Sequence, residues 1–227
     1  MTTYNLLSTF KEYHKSQDSG LYSSTRLGDA TDGDSGFIRC GMLNINPVPN
    51  YGTNYRGYLI YNTSDIGSLN VISATISLIL LFKFNGLGIS DFNAGIGLVK
   101  PLIVDTSFNL SKYNLNNIDL TLMSDVISFS QVAGVGNPTI LTLNSSGIAN
   151  INKSGLSAFI LMLNFDRLNV GEPGGATRSQ TLHTFTGTGG VLNVVTGPGY
   201  QSYALGGGKK LFRLQKNIQP FNDIDLL

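Results

Sequence analysis

Residues 55–84 read YRGYLIYNTSDIGSLNVISATISLILLFKF, and this stretch decides the predicted fold. Residues 55–61 and 71–84 have the aromatic and β-branched composition of strands, and turn residues separate them. In the second strand, the odd-numbered positions begin with Ser and Thr, become apolar at Ile79 and Leu81, and end at Lys83. The even-numbered positions are apolar throughout and consist of Ala74, Ile76, Leu78, Leu80, Phe82 and Phe84. This alternation predicts a half-buried strand whose second face is covered near its far end.

The composition is that of a β-rich chain with few charges. Charged residues make up 13% of the chain, about half of the ~25% that is usual. Ser, Thr and Asn fill most other polar positions, and the chain contains 27 glycines, which suits strands and turns better than helices. With Lys+Arg at 15 and Asp+Glu at 14, no net field would attract nucleic acid. The weak charge favours a protein that works inside an assembly.

Secretion and membrane insertion gain no support from the sequence. Cys40 is the single cysteine, so no internal disulfide can form. Residues 1–15 lack the basic start and continuous apolar segment of a signal peptide. Residues 71–84 contain Lys83 and three hydroxyl side chains and are shorter than the about 20 residues that a membrane helix needs. We therefore expect synthesis in the cytoplasm and no membrane partner.

Outside the central stretch, the pattern predicts many short strands and one helix. Residues 144–155 carry the local helix signal, with Asn144 or Ser145 as the N-cap and Gly155 beyond the C-terminus. Residues 4–14 have apolar side chains near helical spacing, and both a short amphipathic helix and a docking arm remain open. Further strands are predicted at 37–44, 95–104, 118–123, 126–131, 139–143, 156–163, 182–185, 191–195 and 209–215. Residues 156–163 are apolar on both parities, which predicts a strand covered on both faces.

These elements predict an all-β fold, a single jelly-roll-type β-sandwich with one short helix near residues 145–153 and extended terminal arms. The predicted divisions are an N-terminal arm at 1–17, the sandwich at 18–216 and a C-terminal tail at 217–227.

Three local patterns resemble the DNRLRE-like β-sandwich domains, which are similar to carbohydrate-binding modules. Residues 55–66 and 71–78 resemble "R-x-Φ-Φ-x-F-D-T-S-x-I-P … I-x-S-A-T-L-x-L", where Φ is apolar. Residues 141–155, LTLNSSGIANINKSG, resemble "L-N-x-x-G-I-x-x-I-x-K-x-G", and DGDSGFIR at 32–39 occupies the place of a "D-G" turn and first strand. The sequence departs from the family at Asn62 and Gly67, where Asp and Pro are usual.

Such domains occur on bacterial surface proteins, beside polysaccharide-active enzymes and as virion proteins of tailed phages. The low charge and the interface-like strand face make this chain most similar to the phage version. The resemblance then implies a non-enzymatic structural protein of the virion, made in the host cytoplasm and used for capsid decoration, as a fibre or in the tail. Its partners would be other virion proteins, further copies of itself and a host-surface glycan. The alternatives are a carbohydrate-binding module of a surface protein and a polysaccharide-active enzyme.

The candidate site residues fall into three groups. The interface residues are Ile79, Leu81, Phe10, Tyr13 and Phe221. Tyrosines that could stack on sugar rings are Tyr51, Tyr113, Tyr200 and Tyr203, although the lack of Trp weakens that interpretation. The acidic residues Asp29, Asp32 and Asp34 could bind Ca²⁺, or they could be ordinary turn residues. The twelfth position from Asp29 is Cys40, so the EF-hand pattern fails.

No residue pattern predicts catalysis. His14 and His183 are far apart and have no Cys or His at metal-ligand spacing. The two glutamates, Glu12 and Glu172, lie in terminal or loop settings, and the glycine clusters match no phosphate-binding loop. We therefore expect a chain that is not an enzyme, does not bind nucleic acid and has no cofactor apart from the candidate Ca²⁺.

Overall fold

The computed structural model describes residues 1–16, 26, 32–34, 36–44, 51–107, 112, 114–170, 180–186, 190–198, 200–205 and 209–214. It is mostly β, with a large antiparallel sheet and few helices, which confirms the all-β, sandwich-like class. The jelly-roll subtype and the domain boundaries stay predictions.

The described strands and helices follow in chain order. The strands are β1 (Thr2–Ser16), β2 (Asp32–Asp34), β3 (Phe37–Asn44), β4 (Tyr51–Asn62), β5 (Asn70–Asn85), β6 (Ile96–Pro101), β7 (Ile118–Leu122), β8 (Pro138–Thr142), β9 (Leu156–Leu163), β10 (Gln180–Thr186), β11 (Val191–Gly197), β12 (Tyr200–Leu205) and β13 (Lys209–Leu214). The α-helices are α1 (Ser145–Ala149) and α2 (Asn164–Leu168). Short 3-10 helices occupy Ser64–Ile66 and Leu115–Asn117.

Two long strands, β1 and β5, each take part in both layers of the sandwich. The small layer has the order β1-β11-β5-β8 and uses the first halves of β1 and β5. The large layer has the order β5-β10-β3-β4-β9-β6-β7 and uses the second half of β5. The second half of β1 pairs with β4 of the large layer. Strands β12 and β13 pair with each other in a separate sheet.

The inner faces of the two layers share one hydrophobic core. Ile76, Leu141 and Leu192 come from the small layer, Leu59 and Phe159 come from the large layer, and all five are fully buried. A second cluster lies on the outer face of the large layer, where β4 and β9 are covered by residues around β7. Strand β9 is therefore buried on both faces, as its sequence predicts.

A β-bulge in β5 reverses the alternation of the central stretch. Leu80 pairs with Phe185 and Phe82 pairs with Thr184, so Leu81 is the extra residue between the two pairs. An extra residue moves the following side chains to the opposite face. Phe82 and Phe84 are consequently 42% and 46% exposed. The predicted buried face of β5, made of every second residue from Ala74, is correct up to Leu80 and wrong for Phe82 and Phe84.

Strand β4 contacts β3, β9 and β1, and Gly57 permits this close approach. β3 pairs with residues 51–55 of β4, β9 pairs with residues 57–62, and β1 pairs along most of the strand. A Cβ atom at Gly57 would lie 2.7 Å from Cγ2 of Ile38 and 3.1 Å from the carbonyl oxygen of Arg39. The strands could not meet in this way around a larger side chain.

Several local predictions are corrected by tertiary pairing. Residues 4–14 are not helical, and the segment 1–17 expected to be an arm supplies β1, which pairs with both layers. Residues 126–131 form a turn with one isolated bridge at Ile127 rather than a strand. The predicted helix near 145–153 is α1, which ends at Ala149. Helix α2 was not predicted, because its N-cap is Leu163 and no polar capping side chain marks its start.

Candidate protein-interaction surface

The exposed apolar residues around the β5 bulge form a surface that we call the apolar band. On β5, Ile79, Leu81, Phe82 and Phe84 are 36%, 40%, 42% and 46% exposed. The rings of Phe82 and Phe84 are stacked, with centroids 6.5 Å apart. Val135 and Ile140 extend the band, because the Gly136 N–H donates to the Leu80 carbonyl and β8 pairs with β5. Clustered exposed hydrophobic side chains of this kind mark interaction sites.

The outer face of the small layer continues the band and carries no charge. The registers place Leu7, Val191, Ser77 and Ile140 in one row across the four strands. A second row contains Asn5, Asn193, Thr75 and Thr142. Further outward positions are Thr3, Val195, Ser73, Ile79 and Pro138. This face can therefore offer hydroxyl, amide and aliphatic groups, but no ion pair, to a partner.

The same bulge turns Lys83 inward. Its Nζ atom donates to the carbonyl oxygens of Phe129 at 3.0 Å and Val132 at 2.6 Å, and it lies 5.0 Å from the centroid of the Phe129 ring. Lys83 thus fastens the turn at residues 128–132 to β5. Its charge also acts on His183, the neighbouring residue in the register of β10.

His183 and Cys40 are neighbours in the core, and the fold keeps both neutral. They are opposite each other in β10 and β3, and both are fully buried. Burial, followed by the charge of Lys83, lowers the pKa of His183 to about 4. Burial, with a smaller effect of Asp166, raises the pKa of the Cys40 thiol. A nucleophilic cysteine needs the opposite shifts, so this pair cannot act as a thiolate–imidazolium dyad.

A buried ion cluster fixes β4 to α2. The Arg56 guanidinium donates to both carboxylate oxygens of Asp166, at 2.6 Å from Nε and 2.9 Å from Nη2. Arg26 Nε donates to the Asp166 carbonyl oxygen at 2.8 Å and lies 3.2 Å from its Oδ1. All three side chains are almost completely buried, so the carboxylate is held by guanidinium groups and closed to a substrate.

A second buried cation, Lys112, holds the loop after β6 against the large layer. Lys112 Nζ donates to the carbonyl oxygens of Asp105 at 3.0 Å and Ser107 at 2.6 Å. It also lies 3.2 Å from Oδ1 of Asp105 and 4.9 Å from the centroid of the Tyr58 ring. The Tyr58 hydroxyl donates to the carbonyl oxygen of Ile103. These contacts position a loop rather than a ligand.

The two longest sequence patterns meet in space at a pair of turns. The Thr63 N–H donates to the Gly155 carbonyl at 2.9 Å, and the Gly67 N–H donates to the Lys153 carbonyl at 3.1 Å. Lys153 Nζ in turn donates to the Leu69 carbonyl at 3.1 Å. The Asn62 side-chain oxygen accepts hydrogen bonds from the N–H and hydroxyl of Ser64. These residues therefore hold the two turns together.

Most other candidate site residues lie outside what the structure describes. Phe221, Tyr113 and Asp29 are not among the described residues. The remaining candidates lie on described strand backbones whose side chains are not described, namely Phe10, Tyr13, Tyr51, Tyr200, Tyr203, Asp32 and Asp34. Their proposed roles stay predictions.

The described part of the chain lacks both a metal-binding cluster and a membrane-spanning helix. It contains no group of three or more His, Cys, Asp or Glu side chains that could hold a metal ion. None of its helices has the length and apolar character needed to span a membrane. Neither a family model nor a curated protein matches this chain.

Proposed function

We propose that the chain is a non-enzymatic structural protein of a bacteriophage virion and that the apolar band binds a neighbouring virion protein. The assignment to a phage particle rests on the sequence resemblance. The assignment of the contact surface rests on the band, because none of the exposed side chains of β5 is charged. Desolvation of such a surface by a partner is favourable, at about 25 cal/mol per Å² of apolar area.

The disposition of the titratable groups supports a role without catalysis. Among the described residues, the buried Asp166 is held by arginines, and His183 and Cys40 are neutral and enclosed by the core. Catalytic groups instead lie within reach of a substrate and have pKa values matched to proton transfer.

Mass spectrometry of particles purified from the phage that encodes this chain tests the proposed location. Peptides of the chain should be present at a constant ratio to the major capsid or tail proteins after repeated density-gradient purification. Loss of those peptides on purification would overturn the proposal.

A variant test addresses the surface itself. The double substitution Leu81→Lys and Phe84→Lys should reduce incorporation into particles at least tenfold, because both ammonium groups would have to be desolvated at the interface. The matched control is Leu102→Lys, since Leu102 is 57% exposed at the end of β6, away from the band. Equal incorporation of both variants, with unchanged melting temperatures, would show that the band is not the contact surface.

A further inference from the structure

We propose that the outer face of the small layer and the apolar band form one contact surface, and that the partner surface bound there carries no charged side chain. This inference rests on the proposed structural role and deepens it by stating the chemistry of the virion protein that is bound. Its measurable consequence is an association that is nearly independent of ionic strength.

The strands of the small layer all lie in segments of the sequence without charged side chains. The first half of β1 lies in residues 1–10, β5 up to the bulge lies in 66–82, β8 lies in 126–152 and β11 lies in 179–208. None of these segments contains Asp, Glu, Lys or Arg, so the 15 Lys+Arg and 14 Asp+Glu all lie elsewhere in the chain. A solvated surface usually has about a quarter or more of its residues charged. The exclusion of charge therefore concerns the whole layer and not one strand.

The outer face is open and holds polar and aliphatic groups side by side. Asn5, Ser73 and Thr142 are exposed, and Leu7 is 66% exposed. Ile79 belongs both to this face and to the apolar band, so the two surfaces are continuous along β5. The opposite face of the same strands is buried in the core. The layer thus presents a single uncharged surface on one side of a packed core.

An uncharged surface selects an uncharged partner. A charged group of the partner placed against this face would lose its water and meet no opposite charge, which is unfavourable. Neutral polar groups of the partner can instead pair with the hydroxyl and amide groups, and aliphatic side chains on both sides leave water together.

The amide and hydroxyl row of this face favours a protein surface over lipid. Asn5, Asn193, Thr75 and Thr142 lie in one row across the four strands. Polar side chains that are buried without a hydrogen-bond partner are costly. A hydrocarbon phase supplies no such partner, whereas the backbone and neutral side chains of a protein supply both donors and acceptors.

Binding of the purified full chain to particles that lack it tests the salt dependence. Particles of a phage whose gene for this chain is deleted are mixed with the chain and sedimented at about 0.1 M and about 1 M NaCl, where the Debye length is about 10 Å and about 3 Å. The Kd should change by less than about threefold. Weakening by about tenfold or more at high salt would overturn the inference alone. Absence of binding at both concentrations would overturn the proposed function as well.

Charges of both signs at Ser73 test the partner surface directly. Ser73→Asp and Ser73→Lys should each weaken binding by about tenfold or more, whereas Ser73→Asn, similar in size to Asp but neutral, should bind within about threefold of the wild type. Leu102→Lys, which lies away from this face, should bind normally. Tighter binding by one charged variant would reveal a partner of the opposite charge and overturn the inference. Asn5→Asp and Asn5→Lys repeat the test if the Ser73 variants do not fold.

Three further outcomes would also overturn the inference. Loss of binding by Leu81→Lys/Phe84→Lys with normal binding by Ser73→Asp would confine the contact to the apolar band, and the proposed function would stand. A dimer of the chain alone in sedimentation equilibrium that Ser73→Asp dissociates would make a second copy the occupant. Binding to phosphatidylcholine vesicles that Ser73→Asp abolishes would assign the face to lipid.

Discussion

At the residue scale, His183 is a buried histidine that the fold holds in one neutral form. Its Nε2 atom lies 2.8 Å from the Ala94 carbonyl oxygen, so Nε2 carries the proton and donates. Nδ1 is buried and has no hydrogen-bond partner. A second proton on the ring would therefore place an unsolvated charge beside Lys83, which explains the lowered pKa.

We expect His183 to make the protein less stable in acid. Its folded-state pKa of about 4 lies below the ordinary value of about 6.5, so the unfolded chain binds the proton first. The contribution of His183 to the free energy of unfolding should be constant above about pH 6.5 and fall by about 3 kcal/mol as the pH drops toward 4. Urea unfolding of the wild type and of His183→Gln at several pH values measures this, and equal slopes between pH 6.5 and 5 would contradict it.

Gly147 is required by the close contact between α1 and the segment after β7. A Cβ atom at this position would overlap the Met123 carbonyl oxygen and press on Leu143. Gly147→Ala should therefore lower the free energy of unfolding by about 3 kcal/mol or more. Ser146→Ala, one residue earlier in the same helix, is the control and should change stability by less than about 1 kcal/mol. Chemical denaturation compares the two variants.

Thr63 links the two turns through a chain of hydrogen bonds. The Asn152 N–H donates to the Ser157 hydroxyl, which lies 2.7 Å from Thr63 Oγ1, and that oxygen is 2.6 Å from the Asn152 carbonyl. Thr63→Val should cost about 1–3 kcal/mol, because buried polar groups lose their partner. Thr63→Ser keeps the hydroxyl and should recover most of the loss in thermal denaturation, and equal losses in the two variants would contradict the hydroxyl as the cause.

At the scale of the element, β5 shows why period-2 patterns have to be read together with bulges. The pattern identifies the strand and its inward residues from Ala74 to Leu80. The bulge at Leu81 occurs where β5 leaves β8 and β11 and joins β10, because the strand must bend between the layers. Lys83 shows the change of face directly. The alternation predicts that its side chain faces outward, but its ammonium group donates to the carbonyl groups of Phe129 and Val132 inside.

Deletion of Leu81 tests the bulge. Without it, continuous alternation would turn Phe82 and Phe84 inward and take Lys83 away from the carbonyl groups of Phe129 and Val132. We expect a loss of about 3 kcal/mol or more, as for other disrupted core packing. Leu81→Ala retains the chain length, and its loss should be much smaller because the side chain is 40% exposed. A deletion variant as stable as Leu81→Ala in urea would contradict this account.

At the scale of the whole molecule, β1 joins the two layers through pairing at each end. It pairs with β11 at residues 2–7 and with β4 at residues 8–16. Removal of residues 1–8 should therefore abolish cooperative unfolding or lower the melting temperature by more than about 10 °C. Asn5→Ala removes an outward side chain and keeps the strand, and it should melt within about 2 °C of the wild type. Calorimetry that finds the truncated chain equally stable would restore the view of this segment as an arm.

The sequence alone determines the β class, the strands at 37–44 and 156–163, a helix cap at Asn144 or Ser145 and the outward positions of Ile79 and Leu81. These features depend on alternation and capping within a few residues, so local chemistry is sufficient. Only the tertiary structure decides that residues 2–16 form a strand, that Phe82 and Phe84 face outward and that Arg56 pairs with Asp166. Each of these depends on which distant segment lies alongside, and a single strand does not encode its neighbour. The edge position of β8 has the same origin, because it follows from the order of the strands.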